Sequence, residues 1–396
     1  MKKPIHILII PSWYPQKAGD IGGSFFREQA LALSKKGHKV GVIAPSMYSL
    51  KDWKSIVFEP HSVQFENDKG VLTYRQQRVN YTPRLKDITR ARRVRIGTRL
   101  VDKYVIDNGV PDIVHVHSLI NAGFIAYKVK QKYGIPYVVT EHSSAFAREL
   151  VDKKTIKQLM PVVKSSAKNI AVSNEFKNLL EDTFKNSKWK YIPNIVSDEF
   201  LEYKFQADNN FEAFTFSNIC LMSPNKRVDL IILAFAKAFK GNPNIKLQLG
   251  GDGPIKSSLE ELAKCEGISE QVTFLGALER GQVKEEIAKS DAFVLSSEYE
   301  TFGVVIIEAL ALGKPVVATR CGGPESIIVP EVGYLVDKNS AEALAQGMID
   351  LYNHRDKYSA EAIREYCRYS FSEAAIVNKL THIYSNVLDK STYDSQ

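Results

Sequence analysis

Short apolar runs rich in β-branched residues alternate with stretches of helical periodicity along this chain, and that alternation limits its fold more than any other feature. In the first half, Ile5–Ile10, Val40–Ala44, Ile113–Val116, Tyr137–Glu141 and Asn169–Val172 read as strands. In the second half, Phe214–Ile219, Ile245–Leu249, Val272–Leu275, Ala292–Leu295 and Pro315–Thr319 do so. Ser24–Lys36 reads as the first helix, and helices fit at 227–240, 255–266, 280–289 and 304–312. Strands spaced by helix-length segments argue for parallel α/β construction. Two α/β units of similar size account for the pattern, 1–195 and 196–371, with a seam near Pro193-Asn194 and the polar stretch Gln206–Asn210. The chain turns helical after about 340, and a closing helix over 372–396 is expected to pack back on the first unit.

With 396 residues, both units have room for a core of their own. The four cysteines (Cys220, Cys265, Cys321, Cys367) are far apart and in no metal-ligand spacing, which reads as reduced thiols in a cytoplasmic protein. Lys2 and Lys3 precede an apolar run too short for a signal peptide, and no stretch approaches a membrane span of about 20 residues. Charge is unevenly placed. Residues 1–196 hold 33 Lys+Arg against 16 Asp+Glu, a net of +17, whereas the remainder holds 20 against 29, a net of −9. A basic half suits nucleic acid or an anionic membrane surface. Its densest stretch, 84–103, carries Arg84, Lys86, Arg90, Arg92, Arg93, Arg95, Arg99 and Lys103, with no aromatic residue between the arginines. That disfavours base stacking and nucleic acid, and leaves an anionic lipid surface, a polyphosphate acceptor or a plain solvated helix face.

Ligands of open α/β sheets bind at the carboxyl ends of the strands. After the first strand come Trp13 and then Gly22-Gly23, opening the first helix; such glycines admit backbone N–H groups to a diphosphate, or form an ordinary surface turn. Two further strand ends carry His115 and His117, and Thr140-Glu141-His142. His115 reads as structural, and His142 as the better candidate to touch substrate. Lys226-Arg227, after a Pro-Asn turn, meets a phosphate or is solvated. Gly250-Gly251-Asp252-Gly253-Pro254 reads as a turn with a helix start, and Gly276, Ala277 and Leu278 could lie against a base. Glu300 and Glu308 flank the Phe302-Gly303 turn and the start of an apolar helix. Helix N-termini attract anions, so carboxylates there point to a ligand with hydroxyls as well as phosphates, a sugar nucleotide.

The string Glu300-Thr301-Phe302-Gly303-Val304-Val305-Ile306-Ile307-Glu308 through Lys314-Pro315-Val316-Val317 resembles the Glu-x7-Glu segment of retaining nucleotide-sugar glycosyltransferases of family 4, which have the GT-B fold. Gly22-Gly23, His117, His142, Ile192-Pro193-Asn194, Lys226, Gly250–Pro254 and Cys321-Gly322-Gly323-Pro324-Glu325 follow in family order. The resemblance implies two Rossmann-like, doubly wound parallel-sheet domains facing across a cleft. It implies Glu300, His142 and Lys226 as catalytic residues, with Glu300 at the donor sugar's hydroxyls and Lys226 neutralising the leaving diphosphate beside Gly22 and Gly23. Phe302 and Gly303 would offer backbone N–H groups, and Glu308 would hold the ribose. Arg227, Gly251, Gly276, Ala277, Leu278, Thr301 and Val304 complete the donor side; Trp13, His117 and His142 lie toward the acceptor. One departure is Leu221, which stands where the family usually carries a diphosphate-gripping arginine.

The expected activity is therefore metal-independent transfer of a sugar, UDP-linked on family frequency, to a lipid-linked or otherwise anionic glycan acceptor. Peripheral association with the cytoplasmic membrane face through 84–103 is expected with it. No nucleic acid, metal or cofactor beyond the nucleotide sugar is implied. A nucleotide-sugar epimerase and a catalytically silent sugar-nucleotide or glycan-binding subunit are the competing readings.

Overall fold

The computed structural model describes residues 3–16, 20, 22–49, 62–204 and 213–393. Gly19, Trp53 and the seam segment Gln206–Asn210 lie outside them. The first unit is an eight-stranded sheet of β1 (His6–Pro11), β2 (Lys39–Tyr48), β3 (Gln64–Asp68), β4 (Val71–Val79), β5 (Ile113–His117), β6 (Tyr137–Glu141), β7 (Lys168–Ala171) and β8 (Trp189–Tyr191). Their spatial order is β3-β4-β2-β1-β5-β6-β7-β8, and every pairing is parallel except β3 with β4. The second unit has β9 (Phe214–Ile219), β10 (Ile245–Gly250), β11 (Val272–Gly276), β12 (Ala292–Leu295), β13 (Val316–Thr319) and β14 (Gly333–Val336), all parallel, in the order β11-β10-β9-β12-β13-β14. Both sheets are thus of the doubly wound α/β kind. Ile7 to Ile10 of β1 are fully buried, as are the four residues of β13. Strands covered on both faces lose the alternation of half-exposed ones and read as continuous apolar runs.

The helices are α1 (Ser24–Lys35), α2 (Lys86–Asn108), α3 (Phe124–Tyr133), α4 (Lys153–Ser165), α5 (Asn174–Thr183), α6 (Asp198–Leu201), α7 (Val228–Phe239), α8 (Lys256–Cys265), α9 (Arg280–Lys289), α10 (Val304–Ala311), α11 (Ala341–Asn353), α12 (Ala360–Phe371) and α13 (Glu373–Tyr393). The chain crosses between units twice, side by side: Val196 N–H donates to Phe371 O at 2.9 Å. After the second crossing, α13 lays Ile376, Val377, Leu380, Ile383 and Tyr384 into one apolar cluster with Ile7, Ile9, Ile113, Val138 and Ile170 of the first sheet. Tyr384 reaches His115 Nδ1 at 2.7 Å, and Thr140 Oγ1 reaches its Nε2 at 2.8 Å, so His115 is a satisfied core residue.

Candidate active site

The carboxyl ends of both sheets face each other across a cavity of about 570 Å³. Trp13, Phe25, His142 and Asn194 line it from the first unit; Leu221, Lys226, Ser297 and the turn Tyr299–Val305 line it from the second.

The second wall is built on the loop from β12 into α10. Gly303 precedes α10 with φ of 97°, in the left-handed region that favours glycine. The strand exit on the neighbouring segment braces this loop: Glu300 N–H donates to Cys321 O at 3.0 Å. A Cβ on Gly323 would lie 2.3 Å from Phe302 O, so the glycine allows the two backbones to touch. Within the braced loop, Glu300 Oε1 accepts from Lys226 Nζ at 2.5 Å and from Ser297 Oγ at 2.8 Å. Burial lowers the Lys226 pKa, but the charge and hydrogen bond of Glu300 outweigh it and raise the net value. Lys226 therefore stays cationic on the cavity wall, beside the N-terminus of α10, whose dipole adds to the positive potential.

The first wall is built on the end of β6. Glu141 is fully buried; Oε2 accepts from Leu119 N–H at 2.7 Å, and Oε1 from the N–H groups of His142 at 2.9 Å and Ser143 at 2.7 Å. Burial raises its pKa to about 7 despite these donors. His142 Nε2 pairs with His117 Nδ1 at 3.0 Å, and its ring packs against Phe25 and Phe26. Burial pushes the His142 pKa down to about 3, so a neutral imidazole faces the cavity. Its Nδ1 forms no hydrogen bond of normal geometry among the described residues, although the Asn194 side chain is close enough to influence its charge. Thr301 Oγ1 donates to His142 O at 3.0 Å and joins the two walls.

The structure thus brings Glu300, Lys226, His142, Thr301, Phe302, Gly303, Val304 and Trp13 to one cavity. The other expected residues stand elsewhere. His117 is wholly buried behind His142, with Gln29 Nε2 at 3.3 Å from its Nε2. Gly23 stands behind Trp13, where a Cβ would lie 3.0 Å from the indole, and Gly22 faces open space. Arg227 turns away from the cavity, because Asp229 at 2.9 Å and Asn339 at 2.7 Å hold its guanidinium. Leu221 is 65% exposed on the wall. Gly251, Gly276, Ala277 and Leu278 form adjoining loops off the wall. Gly251 N–H donates to Gly276 O at 2.7 Å, and a Cβ on Gly251 would lie 1.8 Å from Cys220 O.

Glu308 is 3% exposed and is also off the wall, bound instead to a residue unremarked in the sequence. Arg280, at the start of α9, pairs through Nη1 with Glu308 Oε1 and through Nη2 with Glu28 Oε1 of α1 at 2.8 Å. The guanidinium also stacks on Phe200 at 4.8 Å. Burial raises the Glu28 pKa, and Glu28 Oε2 has no partner among the described residues. Arg280 and Glu28 were missed because a charge paired across units leaves no local spacing; their one signal is position, just after a strand or on the first helix.

The described geometry finds parallels among known proteins. Residues 22–200 match the family model described as Glycosyltransferase Family 4, and residues 202–368 the model described as Glycosyl transferases group 1. N-acetyl-alpha-D-glucosaminyl L-malate synthase of Bacillus anthracis is 31% identical over 290 residues, covering 70% of this chain and 75% of that protein. The putative teichuronic acid biosynthesis glycosyltransferase TuaC of Bacillus subtilis is 26% identical over 402 residues, covering 97% and 99%. The solved structure of Anabaena Alr3699/HepE in complex with UDP and glucose superposes with a TM-score of 0.70 at 18% identity, covering 96% of this chain and all of that one. This last likeness establishes the shared fold.

Proposed function

The chain belongs to the family 4-type glycosyltransferases, and from that premise we propose that it transfers the sugar of a UDP-sugar, with retention, to a hydroxyl of an acidic acceptor, a lipid-linked or cell-surface glycan precursor. One observation carries the reading: Lys226 and Glu300, 2.5 Å apart, stand at the N-terminus of α10 across a cavity from His142. A cation and free N–H groups suit a diphosphate, and a carboxylate suits sugar hydroxyls. In the proposed step, the bond from the anomeric carbon to the β-phosphate oxygen breaks. The acceptor oxygen bonds to the same face, and its proton passes to the departing phosphate oxygen. Lys226 and the α10 N–H groups stabilise the charge that develops there, usually the largest single contribution in such sites. Glu300 orients the donor sugar, and the neutral His142 accepts a hydrogen bond from a sugar hydroxyl. Leu221 leaves this stabilisation to Lys226 and the backbone.

UDP is supported by the nucleotide bound to the Anabaena protein, and an acidic acceptor by the relatives named for L-malate and teichuronic acid. A peripheral site on the inner membrane face is supported by exposed Tyr81, Leu85 and Ile88 beside Arg84, Lys86 and Arg92. Apolar side chains among cations suit an anionic bilayer surface, where each cation contributes about 1 kcal/mol. Among the described residues no helix is long and apolar enough to cross a membrane. A screen of UDP- and GDP-sugars, read by mass spectrometry of nucleotide release with and without chelator, tests the reading. Release from a UDP-sugar that survives chelation is expected. Abolition by chelator would refute the metal-free charge scheme, and a new sugar nucleotide formed from donor alone would favour an epimerase.

A further inference from the structure

A second cavity, of about 360 Å³, opens in the first unit alone. It too lies at the carboxyl edge of the sheet: Met47 is the penultimate residue of β2, Asn80 follows β4, and Ile120-Asn121 follow β5. The turn Leu119–Gly123 connects it to the cleft, because Ser12, next to Trp13, donates its hydroxyl to Ile120 O. Asn121 holds φ 73° and ψ −62°, backbone strain of the kind concentrated at functional sites.

Helix α2 supplies this cavity with Lys86, Arg90 and Arg93, spaced i, i+4, i+7 on one stripe. Arg90 is engaged, bonded to Gln158 Oε1 at 2.5 Å and to Asp87, and stacked over Phe124 at 4.9 Å. Arg93 is not. It is half-buried, its Nε is shut off from solvent, and it has no hydrogen-bond or ion-pair partner among the described residues. Burial alone lowers its pKa. Asp152, the one carboxylate on the wall among the described residues, caps α4 through Thr155 N–H at 2.8 Å and is otherwise acted on by the charges of Lys86 and Arg90.

Withdrawing part of a guanidinium from water without a counter-charge is unfavourable. A ligand that brings the negative charge removes that cost, and a guanidinium with a second cation at i−7 matches a phosphate. We propose that this cavity is a phosphate-binding subsite that seats a phosphate ester of the acceptor on Arg93, with Lys86 at its mouth. The inference rests on the acidic-acceptor reading and narrows it to a phosphorylated acceptor.

Calorimetric titration of the full chain with sodium pyrophosphate tests it, in a Lys226→Ala background that weakens the cleft as a competing site. Binding should persist there, weaken at least tenfold when Arg93→Gln is added, and recover in part with Arg93→Lys. Unliganded Arg93→Gln should melt at the same temperature as its parent or above it, since an uncompensated charge has been removed. Pyrophosphate affinity that is unchanged in Arg93→Gln, or a lowered melting temperature with no change in affinity, would make Arg93 a structural residue and overturn the proposal. Vesicles of phosphatidic acid and of phosphatidylcholine separate the phosphate sources. Arg93-dependent retention on the former alone identifies a lipid phosphate, and pyrophosphate binding without such retention identifies a soluble ester. Binding is read here without turnover, so failure of sugar transfer would not affect it, nor would its failure refute the donor reading.

Discussion

His142 and Lys226 are both withdrawn from solvent, and their charges diverge. Imidazole has no carboxylate to offset desolvation and stays neutral; the ammonium has Glu300 and stays charged. Glu141 carries a different consequence. Its carboxyl pKa rises from 4.5 to about 7 on folding, so between those values the native state binds more protons than the unfolded chain. Stability from this group is present below pH 4.5 and is lost as pH rises toward 7, by about 3 kcal/mol at most. Glu141→Gln should therefore lose more stability relative to wild type at pH 5 than at pH 7, in urea unfolding at both pH values. A difference that widens from pH 5 to 7 would contradict the burial argument.

At the scale of elements, the loop 296–303 is held in place by a neighbouring strand exit. Gly323→Ala would drive a Cβ to 2.3 Å from Phe302 O and push the loop off its brace. The expected outcome is a fall in donor-dependent kcat/KM of about 10²-fold or more, with far-ultraviolet circular dichroism preserved, because misplacing reacting groups by an ångström costs that much. Unchanged kinetics would show that the brace is dispensable. Elements of this kind differ in how far sequence reveals them. The ten strands expected from apolar runs are all present; burial on both faces leaves a continuous signature in central strands such as β1, β5, β6, β12 and β13, while the partly exposed edge strand β11 is carried by its apolar Val272, Phe274 and Leu275. The β3–β4 hairpin went unread because β3 is exposed along nearly all of its length and β4, though largely covered, mixes Arg75, Gln76, Gln77 and Arg78 with its apolar residues. Glu300 and Lys226 were legible from position at strand ends. The burial of Glu308 against Arg280 was not, because the partner lies on another helix and answers to a third residue in the other unit.

Among the ion pairs that join the two units, Glu28–Arg280–Glu308 is largely withdrawn from solvent. Removing the arginine leaves two carboxylates facing each other out of water. Arg280→Gln should cost about 3–5 kcal/mol, the usual penalty for breaking a buried pair from one side. The double change Arg280→Met with Glu28→Gln should recover part of it. Thermal denaturation of the three proteins checks this, and a neutral Arg280→Gln would mean the triad is solvated in solution. The central claim remains that Lys226 and Glu300 face one donor across the cleft from His142. Nucleotide release from the UDP-sugar selected by the donor screen, followed in wild type and in Glu300→Gln at matched folding, tests it most directly. Wild type should turn over, and Glu300→Gln should lose at least 10²-fold in kcat, as expected when a positioned polar group at the reacting centre is removed. Equal turnover by the two proteins would place the chemistry elsewhere and contradict the assignment.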